Sequence, residues 1–191
     1  MNKTYILPII LIIGLAFAIS HSIGPVNILS HQTNTASLKY HATVCEYYKK
    51  AGTDTWQLIG CNHNTLTDIG KNFIRDQLTN PDNTKILKYI SLATDPSDCS
   101  SSATNLASEI TSNGLERHEC SLTNGTGYGN WTCEYLFTAT GSVSDVQVAG
   151  YHWDSTSASD NNLFACASFG SVDMEANDQI KIIWTVTVSE S

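Results

Sequence analysis

Six cysteines, Cys45, Cys61, Cys99, Cys120, Cys133 and Cys166, offer the most chemistry in this chain, since a thiol can close a disulfide, ligate a metal or act as a nucleophile. No C-x-x-C occurs, so a zinc site is not expected. Spacing favours bridges instead. Cys45 and Cys61 flank the turn-like Ala51-Gly52-Thr53-Asp54, and Cys120 and Cys133 flank Asn124 to Gly129, so each pair can face across a hairpin. Cys99 and Cys166 are left to pair. With all six joined, no thiol remains to serve as a nucleophile.

The histidines, His21, His31, His41, His63, His118 and His152, fall in different segments. No two stand at the i, i+4 spacing that sets two ligands on one helix face. They are expected at the surface or at pocket edges, with His63 as a hydrogen-bonded turn residue. An N-terminal His21 could chelate copper through its amine and ring if processing ended at Ser20, but cleavage after Ala18 would remove that chelate. No G-x-S-x-G elbow appears among the serines. Gly125, Gly127 and Gly129 lead into strand-like Trp131-Thr132-Cys133 rather than a helix, so they read as a hairpin turn and not a phosphate loop. Asp95 and Asp98, or Asp154 and Asp160, lack calcium-loop spacing and read as solvated turn carboxylates. No catalytic residue, cofactor or metal ligand is expected.

Two sequons, Asn124-Gly125-Thr126 and Asn130-Trp131-Thr132, make Asn124 and Asn130 glycosylation candidates beside the second hairpin turn. Tyr128, Trp131, Tyr151 and Trp153 have two readings, as sugar-stacking surface aromatics or as core.

The elements that must position these residues are mostly strands. Ser37 to Tyr48 and Thr55 to Cys61 read as a first hairpin around Gly52. Ile69, Phe73, Ile74 and Leu78 follow a helical period after the capping candidates Thr67 and Asp68, which predicts one amphipathic helix over about 68–79. Lys85 to Ala93 reads as a strand, and Asn105 to Ile110 as a short second helical segment. Leu115 to Leu122, Trp131 to Thr140, Val143 to Trp153, Leu163 to Phe169 and Ile180 to Val188 are five β-rich runs with no helix between them. In the last, Ile180, Ile182, Trp184, Val186 and Val188 share one face. The pattern predicts a mainly β chain, an antiparallel β-sandwich carrying one helix.

Lys3, the apolar run from Tyr5 to Phe17 and small residues near Ala16-Phe17-Ala18 outline a signal peptide over residues 1–20, with cleavage after Ala18 or Ser20. The run is shorter than a membrane span, so no membrane association is expected after cleavage. Residues 37–191 then form the sandwich domain, and 21–36 an N-terminal extension. Within that extension Ile23, Val26, Ile28 and Leu29 are apolar. Ile23 to Thr35 is either an ordinary edge strand or a donor strand that completes the sheet of another copy, giving a homo-oligomer through strand addition. Ten basic against 18 acidic residues, for a net charge of −8, exclude nucleic acid as an expected partner. Charged residues are only 15% of the chain; that weakly charged, polar composition suits a secreted, cell-surface protein.

Leu66-Thr67-Asp68-Ile69-Gly70-Lys71-Asn72-Phe73-Ile74-Arg75-Asp76-Gln77-Leu78, then Lys88-Tyr89-Ile90-Ser91-Leu92-Ala93-Thr94-Asp95, resemble in order small proteins of archaeal surfaces and tailed-virus appendages. So do Leu106 to Ile110, Gly114 to Arg117, Phe137 to Gly141 and Trp184 to Val188. The likeness runs roughly from Cys61 to Ser189, implies a β-sandwich structural module and carries no catalytic residue. By size, leader, cysteines and sequons the chain also resembles archaeal thread subunits, glycosylated proteins that join by donor-strand exchange. The expected function is that of a non-enzymatic extracellular structural protein, a filament subunit or adhesion module. The alternative is a monomeric secreted module binding carbohydrate or protein.

Overall fold

Strict alternation in Gln179–Glu190 buries Ile180, Ile182, Trp184 and Val186 and leaves the intervening residues outside, the signature of a strand with one face on a core. The computed structural model describes residues 38–156 and 161–190. They form two antiparallel sheets of five strands each, packed face to face. The first is ordered β2 (Gln57–His63), β1 (Leu38–Lys49), β10 (Gln179–Glu190), β7 (Asn130–Thr138), β6 (Ser121–Asn124). The second is ordered β3 (Thr65–Leu66), β9 (Leu163–Met174), β8 (Val143–His152), β4 (Tyr89–Ala93), β5 (His118–Glu119). Trp184, Phe137, Ile182 and Val44 from the first sheet meet Tyr151, Phe164, Ile90 and Leu92 from the second. Tyr151 stacks on Trp184, with ring centres 5.3 Å apart.

Both sides of the sandwich are closed by a segment that changes sheets. On one side β2 runs through Asn64 into β3; on the other β5 runs through Cys120 into β6. Each crossing is stapled, by Cys45–Cys61 and by Cys120–Cys133. The third bridge, Cys99–Cys166, ties the segment after β4 to β9. These are the pairs the spacing predicts, and three disulfides indicate an oxidising compartment. No described helix is long and apolar enough to cross a membrane.

Helix α1 spans Asp68–Thr79, with Thr67 as its N-cap: the Thr67 hydroxyl accepts from Gly70 N at 2.9 Å and donates to Leu163 O at 2.6 Å. The cap therefore starts the helix and fastens it to β9 in one residue. Gly70 is required there, since a Cβ would lie 2.1 Å from Phe164 O. Phe73 is the buried aromatic of the helix and stacks on Trp153 at 4.8 Å.

Three expectations are corrected. The strand expected from Lys85 begins only at Tyr89. The run from Leu115 to Leu122 breaks into the short β5 and β6, because it turns the corner between sheets. Asn105 to Ile110 is not helical. Leu106 and Ile110 mimic a helical spacing, but Ile110 N donates to Leu92 O and Glu109 bridges Ala93, so the segment lies against β4. The second helical piece is one 3-10 turn at Pro96–Asp98. Residues 94–117 thus form a long covering loop over the outer face of the second sheet, with Leu106 buried against Ala93, Val148, Leu163 and Cys166.

Candidate functional site

Under that covering loop lies a chain of buried polar side chains. Ser91 on β4 and His152 on β8 point to the outer face of the second sheet, with Ser91 Oγ 2.7 Å from His152 Nε2. His152 Nδ1 is 2.8 Å from Asn162 Oδ1, which also accepts from Arg117 at 2.9 Å. Arg117 closes the chain on Glu109 through contacts of 2.9 and 2.5 Å and donates to the carbonyls of Asp154 and Thr156. Asn162 Nδ2 donates to Thr156 O, so its oxygen faces the imidazole; the proton then sits on Nδ1, and Nε2 accepts from Ser91.

Hydroxyl, imidazole and orienting amide stand in the order used for nucleophilic catalysis. Here they have no room for a substrate. Ser91 and His152 are wholly buried, and a Cβ at Gly150 would come within 2.5 Å of His152 Nε2 and 2.7 Å of Ser91 Oγ. Burial, and then the nearby Arg117 charge, hold the imidazole pKa well below 6.5, so His152 is neutral. The chain braces the outer layer to the sheet. The expectation of a surface His152 is corrected: β8 is buried on both faces from Val148 to His152, and that unbroken run, VAGYH, was the available signal.

The opposite situation holds at the end of the sandwich where β1 begins. Leu38 and Tyr40 of β1, Ile74 and Leu78 of α1, Leu87, Trp131 of β7, Phe164 of β9 and Val188 of β10 line an apolar groove of about 380 Å³. A second hollow adjoins it through the shared Phe73, Gln77, Leu87 and Trp131 and adds Ile86 and Leu122. Leu38, Leu78, Ile86 and Leu122 are 68%, 75%, 57% and 45% exposed. Four large aliphatic side chains stand exposed on one mouth, a contiguous patch rather than scattered surface hydrophobes. The adjacent backbone is open too. β2 pairs with β1 only from Thr43 onward, and Asn64 N reaches Ala42 O, so among the described residues Leu38 to His41 have a strand, β10, on one side only. An extended segment can add to that edge with alternate side chains in the groove.

The candidate donor residues Ile23, Val26, Ile28 and Leu29 lie outside the described residues. Asn124 is exposed at the end of β6. Asn130 is half-buried in β7, packed under its own turn: a Cβ at Gly127 would lie 2.7 Å from Asn130 Nδ2. Of the four aromatics, Tyr128 is fully exposed at the hairpin tip, Tyr151 is core, and Trp131 and Trp153 are half-buried. Asp98 is not simply solvated, since it accepts from Ser108 N and Oγ at 2.6 Å each. Among the described residues no group of three metal-ligating side chains occurs.

One buried acid escapes the hydrogen-bond rule. Glu46 points inward from β1, is fully buried, and neither carboxyl oxygen has a hydrogen-bond partner among the described residues. Desolvation pushes its pKa up to about 8, so the group is held as the neutral acid at neutral pH. Trp184 Nε1, on the same inward face, is likewise unpartnered.

Comparisons with family models, with curated proteins and with solved structures yield no match to this chain.

Proposed function

We propose that this is a non-enzymatic, secreted structural protein, a subunit of a cell-surface filament or adhesion module, in which the apolar Ile23 to Thr35 segment of one copy occupies the mouth of another. One observation carries the reading: an apolar groove with four exposed aliphatic side chains beside a stretch of β1 that, among the described residues, is paired on one side only. Main-chain bonds to Leu38–His41 would supply affinity and the groove would fix register. The segment joins the domain at Leu38, which itself lines the groove. The three disulfides support an extracellular setting.

Size-exclusion chromatography and negative-stain microscopy of the oxidised mature protein, with and without residues 23–35, test the proposal. Multimers that vanish on deletion and return when the segment is added as a peptide are expected. A monomer at every concentration, unchanged by the deletion, refutes assembly. A second reading, a monomeric carbohydrate-binding module, rests on the fully exposed Tyr128 at the hairpin tip; glycan binding abolished by Tyr128→Ala would favour it.

A further inference from the structure

His41 on β1 and His63 on β2 point from the outer face of the first sheet, both exposed, with ring centres 4.6 Å apart and planes tilted by 59°. Thr43 lies opposite His63, so the two histidines are diagonal cross-strand neighbours. The Cys45–Cys61 bridge joins the next outward-facing pair along the same two strands, so the register that brings the rings together is covalently fixed. Neither ring is tied up by a hydrogen bond within the described residues.

A metal ion held at about 2.1 Å by one nitrogen of each imidazole sits roughly 3 Å from each ring centre. Two such ligands at a right angle keep their ring centres about 4.5 Å apart, the spacing of adjacent positions in a tetragonal site. The observed separation matches. A tetrahedral angle would demand wider spacing, as would ligands on opposite sides of the ion. We propose that His41 and His63 form a two-histidine site for divalent transition metals, Cu(II) first, then Ni(II) and Zn(II) in the order their imidazole affinities follow. No third His, Cys, Asp or Glu completes a cluster among the described residues, so water fills the remaining positions and the ion stays open to an outside ligand. This site is independent of how copies assemble, and cross-strand neighbours such as His41 and His63 carry no local spacing signal.

The test is titration of untagged, oxidised mature protein with Cu(II), Ni(II) and Zn(II) by calorimetry, with electron paramagnetic resonance of the copper form. His21 and His31 lie in the same chain, so the comparison is with H41Q, H63Q and the double variant. Both side chains are exposed, and the variants should fold as the parent does, checked by circular dichroism. Expected are a copper site with two equivalent imidazole nitrogens, at least a tenfold loss of affinity in each single variant, no further loss in the double variant, and a metal-induced rise in melting temperature lost with either histidine. Unchanged affinity in H41Q and H63Q overturns the proposal, as does a copper signal that is identical in the parent and the double variant.

Discussion

Beneath the covering loop polar side chains are sealed from water, while at the mouth apolar side chains are open to it. The first region reverses the ordinary rule at little cost because each group is partnered: Glu109, Arg117, Asn162, His152 and Ser91 bond in sequence. The second has no such compensation, and exposed aliphatic surface next to an open strand edge is what a binding partner removes. Buried polarity here holds the fold together; exposed apolarity is what the proposed assembly would cover. Glu46 is a third case, polar and buried like the first region but unpartnered.

The contrast is broken most strongly at Arg117. Arg117→Ala leaves Glu109 as an uncompensated buried charge, and a loss of roughly 3–5 kcal/mol is expected in chemical denaturation. Replacing Cys99 and Cys166 by alanine frees the covering loop across a separation of 67 residues; about 4 kcal/mol on the chain-entropy model is expected, more than for either hairpin bridge. Glu46 responds to pH. Its folded pKa of about 8 exceeds the ordinary 4.5, so the unfolded chain ionises first and stability falls as pH rises from 4.5 through 8. Glu46→Gln should match the parent near pH 4.5 and exceed it by about 4 kcal/mol at pH 8, since the amide cannot ionise. Equal pH profiles would count against a neutral buried acid. At the mouth, Leu78→Ser should change monomer stability by no more than about 0.5 kcal/mol yet abolish multimers, as followed by light scattering. Smallest in energy is modification: a glycosylating host should occupy Asn124 and leave Asn130 bare, which peptide mass spectrometry reads directly.

What sequence revealed and what it concealed follow the range of the interactions. Local pattern sufficed for the alternating β10, for α1 with its Thr67 cap and for the two hairpin disulfides, because period and turn chemistry are written in neighbouring residues. β3, two residues long, carries no period at all. The helical spacing of Leu106 and Ile110 was outweighed by bonds to β4, a tertiary override of a local signal. His152 reads as a surface or pocket-edge residue when grouped with the other scattered histidines; only the unbroken run Val148 to His152 points to a layer above it. The mouth draws its lining from α1, four strands and the segment before β4, so no stretch of sequence contains it.

Leu38 stands opposite Glu190 in the β1–β10 register, which has a mechanical consequence. Tension applied between those two residues would unzip the strands rung by rung, a soft loading direction. In the proposed assembly, tension passed from one subunit to the next would load the first rungs of β1 and helix α1 and spare the body tied by Cys45–Cys61 and Cys120–Cys133. A thread built this way would yield at its joints while its beads stay folded.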